Sequence, residues 1–324
     1  MSSTMDRDAD DEERPLVSVV LPTYDRPEYL REAVESVREQ TYDPIELVVV
    51  DDCSPTPAAR TLDRIDTGAL AVTCRRHESN RGANAARNTG IDAAAGEFVA
   101  FLDDDDRWRP PKVERQVERF GDDEALGLVY TGQEYVNGEG RTTELKTPGT
   151  AGDAAEAILR GAGVGPFSTL MARADTIDAV GRPDERLPSW QDRDWVIRIA
   201  SRYRIAPVRE PLVVRRMEAH DQISDDFEGK RDVSYPLMLE KHRERAATYG
   251  PGTERRFVAN LSVKLADAAL ANGYHRDAVR FAARAIRAAP RARSGYLYLL
   301  VAAGGEFTYR PAKFLKRASV RYRR

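Results

Sequence analysis

Short apolar runs rich in branched residues, each followed by a segment of helical spacing, constrain this chain most. Val17–Leu21 (VSVVL), Glu46–Val50 (ELVVV), Leu70–Cys74 and Phe98–Leu102 (FVAFL) read as strands. Between them, Glu28–Gln40 places Leu30, Ala33, Val34 and Val37 on one helical face, a weaker helix runs to Ile65, and Asn84–Ala95 is an alanine-rich helix. Runs without polar alternation are buried on both faces, and strands alternating with helices form a parallel sheet covered on both sides. The expected fold is therefore α/β, with a Rossmann-like, mostly parallel sheet flanked by helices.

The pattern changes further along. Lys112–Phe120 reads as a helix, and Gly127–Tyr135 with Thr142–Leu145 as a hairpin around Asn137-Gly138. Ser168–Ala172, Ile205–Val208 and Leu212–Arg215 read as strands, and Thr176–Val180 and Asp194–Ser201 as helices. From about Tyr235 the chain is helical, and Asn260–Pro290 resembles a single tetratricopeptide helix–turn–helix unit. The expected organisation is an acidic, solvated leader over residues 1–14, an α/β domain over 15–230, and a helical C-terminal region over 231–324 carrying that hairpin and a basic tail.

Composition narrows the class. Two cysteines exclude a disulfide framework and a thiolate zinc site, and point to a reducing cytoplasm. No apolar run approaches the ~20 residues needed to span a bilayer, and the leader is neither a signal peptide nor an anchor. The net charge of −3 divides unevenly: residues 291–324 hold nine basic side chains against one acid, which leaves −11 on residues 1–290. An acidic body argues against nucleic-acid binding, whereas Arg310–Arg324, with Phe314, Leu315, Val320 and Tyr322 interleaved, suits peripheral contact with an anionic membrane. A solvated terminus, or one docked on the acidic body, fits the tail equally.

In an open parallel sheet, ligands bind outside the carboxyl ends of the strands. The loops there carry the polar clusters: Pro22-Thr23-Tyr24-Asp25-Arg26, Asp51-Asp52, Asn80-Arg81-Gly82 leading to Arg87, and Asp103-Asp104-Asp105-Asp106. Adjacent carboxylates resist joint ionisation unless a cation or donors offset them. A divalent metal, Mg²⁺ or Mn²⁺, does so and can also meet a diphosphate. The alternative, a solvated acidic turn, is weakened by the buried FVAFL strand just before it. Arg81 and Arg87 flank a helix start suited to phosphate, although 43 arginines make any one of them weak evidence. There is no P-loop and no Gly-x-Gly-x-x-Gly fingerprint. Downstream, Trp190-Gln191-Asp192-Arg193-Asp194-Trp195 offers acids beside tryptophans, either simple helix caps or a carboxylate of raised pKa in a sugar-binding cleft. His220 reads as a metal or phosphate contact, or as a surface histidine.

In order and spacing, the segments VSVVLPTYDRPEYLREAVESVREQTY, LVVVDDCSPT, NRGANAARNTGIDAAAGEFVAFLDDDDRWRPPKVERQ and WQDRDWVIRIASR resemble the inverting family 2 glycosyltransferases of GT-A fold, over roughly residues 15–225. The resemblance implies a metal-dependent inverting transfer from a nucleotide-sugar donor, a UDP-sugar in most of the family, to a hydroxyl of a glycan or lipid-linked acceptor. It implies that Pro22, Thr23, Tyr24, Arg26, Asp52, Arg81, Asp103 and Asp104 hold the donor, Asp105 the metal (Mn²⁺ or Mg²⁺), and that Asp192 is the general base. Arg87, Trp190, Gln191 and His220 are further candidates. Two positions depart from the family's pattern: Gln191 stands where Glu is usual, and Pro183 where an aromatic is usual. A sugar nucleotidyltransferase would also use metal-binding aspartates, but needs a glycine-rich loop that PTYDRPEYL lacks. A catalytically inactive nucleotide-binding scaffold would have no need of Asp103, Asp105 and Asp192 together.

Overall fold

The computed structural model describes residues 14–216 and 226–304. Nine strands occur there: β1 Val17–Thr23, β2 Ile45–Asp51, β3 Ala71–Arg76, β4 Phe98–Phe101, β5 Asp106–Trp108, β6 Leu126–Val136, β7 Thr142–Lys146, β8 Leu170–Arg173 and β9 Arg204–Arg216. The helices are α1 Pro27–Arg38, α2 Ala59–Leu62, α3 Ala83–Ala93, α4 Lys112–Phe120, α5 Ala155–Leu159, α6 Ala174–Val180 and α7 Gln191–Ala200. The C-terminal set is α8 Phe227–Gly229, running through a π-helical stretch (Lys230–Ser234) into α9 Tyr235–Thr248, then α10 Pro251–Ala271, α11 His275–Ala288 and α12 Arg293–Ala303.

All strands share one sheet of order β3-β2-β1-β4-β8-β6-β9-β5, with β7 paired to β6. β3, β2, β1 and β4 are mutually parallel, as the apolar runs predict. Beyond β4 the sheet is mixed: β8 runs antiparallel to both β4 and β6, while β6 and β9 are parallel. The strand order reverses between β2-β1 and β4, so a crevice opens where the loops after β1 and β4 diverge.

Alternation along β1 shows how the sheet is covered. Val17, Val19 and Leu21 join α1 and α4 in one core cluster, whereas Val20 joins Phe101, Trp195 and the C-terminal helices in another. The second cluster is continuous from Val99 and Phe101 through Trp195 to Met238, Leu261, Leu265, Phe281 and Ala302. α3 approaches β1 closely at Gly90, where a Cβ would collide with Val20.

Two differences from the expected elements have local causes. Residues 205–208 and 212–215 form one strand, β9, whose register against β6 shifts at Leu126–Leu128 and again at Thr131–Gln133. Gly132 admits this close approach, since a Cβ there would lie 2.8 Å from the Glu210 carbonyl oxygen. β5 and α5 carry no periodic signal because they are only three and five residues long.

Candidate active site

The crevice is a cleft of about 410 Å³ lined by Pro22, Thr23, Tyr24, Arg26, Asp52, Asn80, Gly82, Ala83, Ala86, Arg87, Asp103, Asp104, Asp105 and Arg215. It gathers most of the residues singled out from sequence. Arg81, Trp190, Gln191 and Asp192 lie outside its lining, and His220 and the 310–324 tail lie outside the described residues.

Asp52, at 4% exposure, fixes the loop that enters α3. Its carboxylate accepts the backbone N–H groups of Arg81 (2.9 Å) and Gly82 (2.7 Å). It also meets His77 Nδ1 at 2.7 Å, and the other face of that ring meets the Thr89 hydroxyl at 2.8 Å. A carboxylate offers about four acceptor sites, and these contacts occupy three of them. Tyr24, 46% exposed, stands at the same end of the cleft. The Arg81 side chain turns away toward Glu185, 3.5 Å distant, and only its backbone takes part.

Each member of the aspartate run has a cation beside it. Asp103 takes Arg87 Nη2 at 2.5 Å, and its N–H donates to the Ser168 hydroxyl. Asp104 turns inward, accepting from Thr23 Oγ1 at 2.7 Å and Arg26 Nη1 at 3.2 Å. Asp105 lies 3.4 Å from the same guanidinium and stays partly exposed. Asp106 is buried against Arg215 Nε at 3.2 Å, with Oδ2 unpartnered. Burial pushes Asp104 up to about 6, partly offset by the Thr23 hydroxyl and Arg26. Burial, then the charge of Asp103, raises Asp105. Burial also takes Asp106 to about 7 despite Arg215.

This donor set suits a hard divalent ion. Asp103 and Asp105 are close enough to repel, and Asp105 is raised in part for that reason, so a cation between them would be stabilised. Among the described residues no three or more ligand side chains form a cluster. Mg²⁺-type ions are commonly held by one or two carboxylates with substrate phosphates and water, which is the arrangement two aspartates at a cleft mouth provide.

Arg87 joins the cleft to α7. Buried at 4% exposure, its guanidinium lies 4.1 Å over the Phe167 ring and donates to Asp103, Asn84 (3.1 Å) and Gln191 Oε1 (3.3 Å). Gln191 opens α7 after Trp190, which sits in the left-handed region at φ 61°, an uncommon conformation for a bulky residue. Next comes Asp192, partly buried and accepting the Arg193 N–H at 2.7 Å. Burial raises its carboxyl, against the opposing Arg193 N–H and the charges of Lys264 and Arg87. α3 also carries the loop before α7: Asn84 donates to the Asp184 carbonyl (2.8 Å), and Asn88 to the Pro183 carbonyl (3.1 Å) and Glu185 (2.8 Å).

A family model described as Glycosyl transferase family 2 matches residues 18–175, the stretch that builds β1 to β8 and the whole aspartate run. The chain carries a family 2 glycosyltransferase domain. TuaG of Bacillus subtilis, assigned by name to teichuronic acid biosynthesis, is 35% identical over 127 residues, 39% of this chain and 50% of that protein. An uncharacterized glycosyltransferase of Nostoc sp. is 32% identical over 170 residues, 51% of this chain and 52% of its own. The chain thus spans about half the length of these curated relatives. Among solved structures, Staphylococcus aureus TarS 1-349 matches at TM-score 0.60 and 21% identity, over 85% of this chain and 81% of that one. Another crystal structure of the same TarS segment contains UDP-GlcNAc. The mannosyltransferase PcManGT of Pyrobaculum calidifontis, in complex with GDP-Man and Mn²⁺, matches at TM-score 0.59 and 20% identity, over 95% and 86% of the two chains. At these identities the shared property is the fold.

The glycosyltransferase domain uses residues that sequence reading did not single out. His77, Ser168, Phe167 and Arg215 each position a member of the site, but none stands in a local pattern that separates it from an ordinary core or surface residue. Arg215 lies 109 positions from the aspartate it neutralises.

Proposed function

We propose that this protein is an inverting glycosyltransferase that moves a sugar from a nucleotide-diphosphate donor to an acceptor hydroxyl, with Asp192 as general base. The observation that carries the reading is the Asp103–Arg87–Gln191 chain of contacts, which ties the diphosphate end of the cleft to the helix bearing Asp192. The nucleotide-sugar complexes of two proteins with this fold support a donor of that class, a UDP-sugar by the family's habit.

In this reading Tyr24 and Asp52 hold the nucleobase, while Pro22 and Thr23 shape the ribose site. Asp105, with Asp103 beside it, would hold Mn²⁺ or Mg²⁺, which when bound supplies positive charge to the departing diphosphate. Arg87 and Arg26 keep the surrounding carboxylates from repelling the donor. Asp192, its pKa raised by burial, removes the proton from an acceptor hydroxyl as that oxygen attacks the anomeric carbon from the face opposite the diphosphate. One displacement inverts the configuration, and no enzyme nucleophile is needed. Gln191, in place of an acid, holds Arg87 without adding charge.

The test is incubation with a panel of nucleotide sugars and Mn²⁺. A transferase slowly releases nucleoside diphosphate to water in the absence of acceptor. Pyrophosphate release from nucleoside triphosphates, with no diphosphate from any sugar donor, would replace this reading with a nucleotidyltransferase.

A further inference from the structure

The last two described helices, α11 and α12, present a surface that the site does not use. Arg276, Arg280, Arg284 and Arg287 recur along α11 at spacings of three and four, which places them on one face, and all four are exposed. None has an acidic partner among the described ion pairs, and Asp277, the one acid of α11, pairs with Arg231 instead. Arg291 and Arg293 extend the run through the four-residue connection into α12. In a chain of net charge −3, residues 275–304 hold six arginines against one acid.

α12 is turned with its apolar side outward. Tyr296, Leu297 and Leu300 are 46%, 60% and 71% exposed. Their spacing of one, three and four places them on one arc with Arg293. The opposite arc makes the contacts within the protein: Gly295 lies against Ala285 and Ile286 of α11, the Tyr298 hydroxyl donates to Asp267 at 2.9 Å, and Ala302 is buried. Most surface helices of a folded domain keep their leucines inward; here two leucines and a tyrosine face water on the helix that packs against α11, whose basic stripe meets aromatic rings at Arg280 and Arg284 but no acid among the described ion pairs.

We propose that the α11–α12 surface docks on an anionic lipid bilayer, with the arginines at the headgroups and Tyr296, Leu297 and Leu300 at the acyl boundary. Charge complementarity selects the sign of the partner, since each arginine near an anionic leaflet contributes favourably within a Debye length. The exposed leucines select lipid over a soluble polyanion such as nucleic acid, which would gain nothing from them. No helix among the described residues is long and apolar enough to cross a membrane, so the contact is interfacial. The inference stands apart from the transferase reading, because it rests on none of the cleft residues.

The experiment is co-sedimentation of the full chain with vesicles of phosphatidylcholine alone or mixed with phosphatidylglycerol. Three variants accompany the wild type: Leu297→Ser/Leu300→Ser, Arg280→Gln/Arg284→Gln, and all four substitutions together. All positions are exposed, and circular dichroism checks that each variant folds. The expected result is binding to the mixed vesicles that weakens with salt, little binding to neutral ones, and loss of about tenfold or more in partitioning for the fourfold variant, each pair contributing. Equal pelleting of the wild type and the fourfold variant would overturn the proposal and leave the 310–324 tail as the membrane contact. Loss of heparin binding in the arginine variant, with no vesicle binding by the wild type, would overturn it in favour of a soluble polyanion.

Discussion

Four adjacent aspartates are tolerated because their side chains diverge onto three cations, Arg87 for Asp103, Arg26 for Asp104 and Asp105, and Arg215 for Asp106, and this sorts them by chemistry. Asp106 is structural: it is 2% exposed, and its counter-charge is Arg215. Replacing Arg215 by Met strands a buried carboxylate. Because Asp106 can take up a proton, the predicted loss is about 1–3 kcal/mol rather than the full cost of an unpaired charge. The loss should grow as pH rises above 7, where keeping that proton becomes harder, and Asp106→Asn in the same chain should recover most of it. Urea denaturation at two pH values measures both. In the proposed mechanism Asp192 is the general base, and Asp192→Asn should reduce turnover by about 10²–10⁴-fold while donor affinity stays within about twofold. Loss of nucleotide affinity with normal turnover would assign it to binding instead. At this scale the sequence showed two acid clusters plainly, since Asp51-Asp52 and Asp103–Asp106 stand at the ends of the buried strands β2 and β4. Arg26 and Arg87 were legible as donor or phosphate candidates, though not as counter-charges to the aspartates; Arg215, brought in by β9, was not legible, because nothing local distinguishes it from the other arginines.

At the scale of elements, α7 is held from both sides. On the cleft side Arg87 reaches Gln191. On the other side Asp194 is fully buried, meeting His242 Nε2 of α9 at 2.8 Å, Lys241 at 2.7 Å and Arg198 at 3.1 Å. His242 donates from Nε2, and its Nδ1 is buried without a partner, so protonation would place a cationic N–H where no acceptor exists. Burial, with Arg245 and Lys241 nearby, holds this imidazole below its usual 6.5 even though Asp194 opposes the effect. The unfolded chain therefore gains a proton near pH 6.5 that the folded one refuses. This contribution to stability is complete above that pH. It is lost as pH falls below it, by at most about 1.4 kcal/mol for each pH unit, until the folded imidazole also takes its proton. Burial raises Asp194, but His242, Arg198 and Lys241 outweigh it and hold the carboxyl at about 2, which adds a second loss only below about pH 4. His242→Gln should flatten the fall between pH 7 and 5 and leave the lower one, as thermal melts across that range would show. The helical spacing of α7 was legible from Asp194 onward. Its start at Gln191 was not, because the turn before it depends on Trp190 adopting a left-handed backbone, which no residue preference announces.

At the scale of the molecule, one apolar cluster runs from the sheet through α7 into α10, α11 and α12. Leu261 and Leu265 of α10 are fully buried in it. A chain ending at residue 234 would expose this face and should be insoluble or molten, which expression with near-UV circular dichroism would reveal. The parallel β1–β4 half was legible because continuous apolar runs have one stable solution. The mixed half was less so, since β8 and β9 owe their neighbours to long-range pairing rather than to pattern. In the proposed function, the cleft between β1 and β4 binds a nucleotide-diphosphate sugar through a cation held by Asp105. The most direct measurement is calorimetric titration of UDP-sugars and GDP-sugars, with and without Mn²⁺, into the wild type and Asp105→Ala. At least one donor should bind the wild type only with Mn²⁺, and Asp105→Ala should abolish this binding. Equal binding by both proteins, or by the wild type regardless of Mn²⁺, would contradict that function.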